Sequence, residues 1–149
     1  MSAPPRSSRP DERTETAGTL ATIAAPASAT LLLRSAYQDA ALSIDAFGST
    51  SNSGSLSVDT PVGAQVLQAY LYASDVWGGG LSNVSLAGNT LTTATGTLLT
   101  PDVNPANTMR WDVTSIMKPL IEGTNGLQNF TYSEAGALDG GVLVVVYKD

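Results

Sequence analysis

The sequence predicts an all-β fold: an antiparallel β-sandwich of jelly-roll or immunoglobulin-like type, with one short helix near residues 114–121 and a disordered N-terminal lead-in. Three observations point there. Apolar and polar residues alternate with period two in run after run, and each run is bounded by Gly, Pro, Asn or Asp. One segment alone switches to helical spacing, so no βαβ unit is available. Some ~110 residues follow the lead-in, enough to enclose a core without disulfides.

In chain order, residues 1–36 stand apart from 37–149. The opening MSAPPRSSRPDERTET is rich in Pro, Ser and charge, and cannot bury enough apolar surface to offset its ordering entropy. Ala17–Leu33 turns to Ala, Thr and Leu. Arg6, Arg9 and Arg13 ahead of it and Ala27-Ser28-Ala29 within it give a signal-like arrangement, which Asp11, Glu12, Glu15 and Pro26 weaken. The stretch is too short and too polar for a membrane span.

Leu42, Ile44 and Ala46 alternate with Ser43, Asp45 and Phe47, and after the turn-rich Gly48–Gly54, Leu56 and Val58 alternate with Ser57 and Asp59. In Gln65–Ala73, Val66, Tyr70 and Tyr72 share one face with Gln68, and Leu67, Ala69, Leu71 and Ala73 share the other. Both faces are apolar enough to be covered, which predicts a central strand. Gly88-Asn89 between two short alternating runs is a two-residue hairpin signal. Thr90–Thr100 reads as one Thr-rich strand, bulged at Gly96.

Met109, Trp111 and Val113 form one strand face, with Arg110 and Asp112 opposite as a surface ion pair. Ile116 with Leu120, and Met117 with Ile121, are four apart behind Thr114 as N-cap, so one or two helical turns are expected, limited by Pro119. Phe130 and Tyr132 alternate in a further strand. Val142–Tyr147 is apolar on both faces and reads as buried, antiparallel to the preceding strand through a turn at Asp139-Gly140-Gly141. Trp111, Phe130, Tyr70 and Tyr72 are assigned to the core by alternation.

Composition narrows the chemistry. The chain has no Cys and no His, so a disulfide framework, thiolate or imidazole catalysis and zinc–thiolate sites are excluded. Only 13% of residues are charged, about half the usual ~25%. Residues 37–149 carry Arg110, Lys118 and Lys148 against eight Asp and two Glu, a net of −7 spread without runs. That balance argues against a nucleic-acid partner.

Five stretches resemble a family of bacterial secreted domains found in proteins with PEP-CTERM-type sorting tails and in large adhesin-like surface proteins. They are SID…GSLSVD (Ser43–Asp45, Gly54–Asp59), PVGAQVLQAYLY (Pro61–Tyr72), VSLAG (Val84–Gly88), WDVTSI (Trp111–Ile116) and DGGVLVVVY (Asp139–Tyr147). The resemblance implies an extracellular or cell-surface β-rich module with no catalytic constellation to carry over. Domains of that family continue past the final apolar strand, so it also implies a domain cut short at Asp149.

The candidate sites are few. Trp77 beside three glycines offers an indole for stacking on a sugar ring, with Asp75 in the same loop. Asp102 and Asn104 place two oxygen ligands at alternating positions in a Pro-flanked loop, a partial calcium site lacking the six to eight oxygens of a full one. The expected function is therefore a non-enzymatic extracellular structural or adhesive module of a bacterial surface or matrix protein. Its partner would be an extracellular polysaccharide or another surface protein. The alternatives are a carbohydrate- or calcium-dependent binding module, and a self-assembling subunit whose terminal strand completes a neighbour's sheet.

Overall fold

The computed structural model describes residues 35–48, 51–75, 80–99, 107–135 and 138–149. Their elements run β1 (Ala41–Phe47), β2 (Ser53–Thr60), β3 (Gln65–Asp75), β4 (Val84–Leu86), β5 (Asn89–Leu91), β6 (Thr97–Leu98), β7 (Thr108–Asp112), α1 (Thr114–Ile121), β8 (Gly126–Glu134) and β9 (Leu138–Lys148). The strands form two antiparallel sheets, ordered β1-β9-β3-β7-β6 and β2-β8-β4-β5. This is a β-sandwich with one helix, as the alternation predicts. Residues 1–34 of the lead-in, with all its signal-like features, lie outside the described residues.

The core fills the space between the sheets. Ala69 and Leu71 of β3, Trp111 of β7, and Leu143 and Val145 of β9 face Leu56 and Val58 of β2, Leu86 of β4 and Tyr132 of β8, all essentially inaccessible to solvent. Met117 and Ile121 of α1 close one side.

Glycines let aromatic rings cross between the layers. A Cβ on Gly54 would collide with the Phe47 ring, and one on Gly141 with the Tyr132 ring. These two rings meet at 5.6 Å between centroids, tilted by 54°. Each sheet thus offers bare backbone where the other sends an aromatic side chain.

Helix α1 takes over where β7 ends. Along the first half of β3, side chains of α1 and of its C-cap Glu122 do the work of a neighbouring strand. The Ala69 N–H donates to Thr114 Oγ1 (2.9 Å) and the Val66 N–H to Glu122 Oε1 (2.8 Å). Lys118 Nζ donates to the Val66 carbonyl (3.3 Å) and lies 3.4 Å from Glu122. Thr114 is therefore inside the helix and not its N-cap, which is Val113. The Asp112 carboxylate instead accepts the Thr114 N–H (3.0 Å). Pro119 sits within α1, and the helix continues two residues past it.

Several other boundaries differ from the sequence reading. A bulge at Leu67 puts Val66 on the buried face with Ala69 and Leu71, leaving Leu67 exposed. The β4–β5 hairpin turns on Ala87-Gly88, one residue earlier than expected. Both have positive φ (49° and 77°), as a primed turn requires, and Asn89 bonds back to the Ala87 carbonyl. Thr90–Thr100 is not one strand, because the chain leaves β5, makes a 3-10 turn at Thr93–Thr95 and enters β6 in the other sheet. Gly96 makes this crossing possible, since a Cβ there would strike Met109 and Trp111.

Asp139-Gly140-Gly141 is no turn; it belongs to β9, which pairs with β1 and β3 and not with β8. Gly140 (φ 109°) forms part of a register shift opposite Ala73–Asp75.

Candidate functional site

With no His and no Cys, carboxylates are the groups ionised as bases at neutral pH, so their surroundings bear most on the chemistry available. Asp75 ends β3 and is completely buried. Its Oδ1 accepts the Asn107 N–H, and its own N–H donates to the Asn107 carbonyl (3.0 Å). This reciprocal lock ties the end of β3 to the chain entering β7. It leaves Asp75 Oδ2 and Asn107 Oδ1 buried without hydrogen-bond partners. Asp75 therefore acts as a strand-end lock, not as a group presented to solvent in a loop. Trp77, Asp102 and Asn104, the other sequence-derived candidates, lie outside the described residues.

Glu134, at the end of β8, is also buried. Its Oε2 accepts the Tyr132 hydroxyl at 2.8 Å, and its Oε1 has no partner. Desolvation, then this hydrogen bond and the adjoining charge, push the Tyr132 hydroxyl well above its ordinary pKa. Folding thus favours the neutral phenol. The resulting stability is fully present below pH 10.0, the ordinary tyrosine value, and is lost as pH rises above it.

Tyr132→Phe removes the only donor to Glu134 Oε2 among the described residues. It is expected to cost about 1–3 kcal/mol at neutral pH and to flatten the alkaline fall in stability. Urea denaturation of both proteins at pH 7 and pH 10.5 checks this. An unchanged alkaline slope would show that Tyr132 is not the group responsible.

The remaining carboxylates serve local structure. Asp45 accepts the Ser57 N–H at 2.7 Å, which holds its carboxyl below the ordinary value despite some desolvation. Burial alone would raise the Asp112 carboxyl. Hydrogen bonds from Thr114 and Gln68 (2.7 Å from Gln68 Nε2), with the Arg110 charge, outweigh burial and lower it. The expected Arg110–Asp112 ion pair is replaced by stacking: the buried Arg110 guanidinium lies over the Tyr70 ring, 4.9 Å from its centroid. Among the described residues, no group of three or more acidic side chains is placed to hold a metal ion.

The feature the sequence reading missed is the outer face of the five-stranded sheet. Alternation would turn Leu42 and Ile44 inward, yet they are 60% and 59% exposed, while Ser43 and Asp45 turn toward β2. Register carries this outer face across Val144 of β9 to Tyr70, and across Val142 to Tyr72 of β3. Val142, Val144 and both tyrosines are half-buried, so Tyr70 and Tyr72 are outward residues and not core. Their rings are 6.3 Å apart and tilted by 60°, which is not a flat stacking platform. Tyr37 donates to Gln68 Oε1 (3.4 Å) at one end of the same face.

Two concave features among the described residues are open and shallow. An open cleft of about 410 Å³ is lined by Asp59, Thr60, Pro61, Val62 and Tyr147 together with Asn125-Gly126. A smaller one of about 270 Å³ lies beside Tyr72, Val142 and Gly140. Neither places two carboxylates face to face. No helix among the described residues is long and apolar enough to cross a membrane. No protein-family model, no curated protein and no solved structure matches this chain.

Proposed function

We propose that the chain is a non-enzymatic structural or adhesive module of a bacterial surface or matrix protein, working outside the cell. The supporting observation is the outer face of the five-stranded sheet. There Leu42 and Ile44 stand exposed beside half-buried Val144, Tyr70 and Tyr72, in a protein whose buried acids are committed to strand ends. Contiguous exposed apolar surface of this kind marks an interaction site. Tilted rings, one of them under Arg110, favour a protein partner over a sugar ring. The resemblance to secreted adhesin-like domains supports the location.

A second reading rests on Asp75 Oδ2 and Asn107 Oδ1, two buried oxygens without hydrogen-bond partners; Asp102 and Asn104 shortly precede Asn107 in sequence. A calcium-dependent binding module would use them as ligands.

One set of measurements separates the readings. The full chain is scanned for thermal shift with calcium and with cello- and chito-oligosaccharides, and for hydrolysis of nitrophenyl glycosides and esters. No shift and no turnover are expected. A calcium-induced rise in melting temperature that Asp75→Asn abolishes would establish the second reading, because only binding to the native state produces it. Turnover at enzymatic rates would overturn both.

A further inference from the structure

We propose that β1 is an assembly edge. Two copies of this chain pair antiparallel through Ala41–Phe47 about a two-fold axis at Ile44, joining their five-stranded sheets into one continuous sheet. This names the partner within the interaction-module reading.

The two sheets treat their edges differently. On β2, the Ser57 and Asp59 N–H groups are taken by the Asp45 carboxylate (2.7 Å) and Ser43 Oγ (3.0 Å) of β1. The first half of β3 is capped by α1. The outermost strands at the other end, β5 and β6, are three and two residues long. Short strands and side-chain caps are the ordinary defences against edge pairing.

β1 is longer than β5 and β6, and its one guard is the inward-turned Asp45 carboxylate. Its seven residues keep unbroken register with β9 and include no Pro, Lys or Arg. Among the described residues its backbone makes no backbone–backbone hydrogen bond beyond that pairing, and only the Ala46 N–H is shared with a side chain, the Asp45 carboxylate. The residues it turns outward are apolar.

The register follows from side-chain complementarity. An axis at Ile44 sets Ile44 against its own copy and Leu42 against the second copy's Ala46. On the other face it sets Ser43 against the second copy's Asp45. Ser43 Oγ accepts the Asp59 N–H, so its own hydroxyl proton is available to that carboxylate. An axis at Asp45 would instead oppose two carboxylates directly, which is destabilising. An axis at Ser43 would leave Phe47 and Ala46 unpaired.

The terminal-strand route expected from the sequence is closed in this arrangement, because β9 is paired on both sides, by β1 and β3. Seven paired residues bury less than the ~1,200 Å² of a standard interface, so the association is expected to be micromolar or weaker.

The chain has no cysteine, which makes cross-linking clean. Single-cysteine variants of the full chain are oxidised under identical conditions. Ile44→Cys is expected to give a disulfide-linked dimer faster than Val62→Cys, a control at a position 77% exposed. Leu42→Cys and Ala46→Cys should cross-link to each other in a mixture faster than either alone. In sedimentation, the native chain should shift from monomer to dimer over roughly a hundredfold rise in concentration. Ile44→Lys should stay monomeric with its melting temperature unchanged.

A native chain monomeric throughout, or Ile44→Cys cross-linking no faster than the control, overturns the proposal. Those results leave the ligand and turnover assays untouched, so failure of the pairing is distinct from failure of the module reading.

Discussion

Trp111→Ala is expected to remove about 3–5 kcal/mol of stability, the range found when a large buried aromatic is truncated. Trp111 is 1% exposed in the middle of the core, on a strand held between β3 and β6. Its Nε1–H donates to the Thr92 carbonyl at 2.8 Å, where the chain leaves one sheet for the other. Gly96 lies directly against the indole. Truncation would therefore open a cavity, free a carbonyl and loosen the crossover together. Since a domain of this size is stable by only ~5–15 kcal/mol, the variant should sit close to its unfolding threshold. Urea denaturation followed by far-ultraviolet circular dichroism measures the loss. A change below about 1 kcal/mol would mean that the crossover is not anchored by this residue.

Gly140→Ala is expected to cost about 3 kcal/mol or more, a large loss for the addition of one methyl group. Two penalties coincide there. At φ 109° an L-residue is strained, and its Cβ would meet the Phe47 carbonyl oxygen and the Gly48 Cα, backbone atoms that cannot swing aside. Gly123→Ala is the control. Its φ is 85°, but the space around its Cβ is open, so only the backbone strain of about 1–2 kcal/mol applies. Equal losses in the two variants would show that β1 and β9 are not in close contact at this point.

Much of the architecture could be read from residue order, because alternation and turn residues are local signals. The strands around Leu56, Leu71, Trp111, Tyr132 and Val144 stand where those signals place them, and so does the helix. The errors come from partners distant in sequence. Nothing local shows that Ser43 and Asp45 are wanted at the β2 edge, so the apolar residues beside them were free to face out. Gly140 looks like a turn residue until Phe47, far away in the chain, is brought against it.

Gly96 looked like a bulge because the change of sheet is set by Trp111. Of the candidate site residues, Asp75 is visible as a carboxylate, but its role as a lock depends on Asn107, 32 positions further along the chain. The outer sheet face leaves no local signal for the same reason. Only register across β1, β9 and β3 gathers Leu42, Val144 and Tyr70 into one surface.

The place of β9 has a consequence for how the protein is made. Its register partners precede it by 63 positions (Asp75 with Leu138) to 106 positions (Ala41 with Tyr147). On the ribosome, β1 and β3 must wait with open flanks until that segment emerges to slot between them. Pairing this remote is slow and exposes strand edges meanwhile. Synthesis of this chain therefore passes through a vulnerable interval that ends only when β9 clears the exit tunnel, and a holdase acting in that interval should raise the yield of native protein.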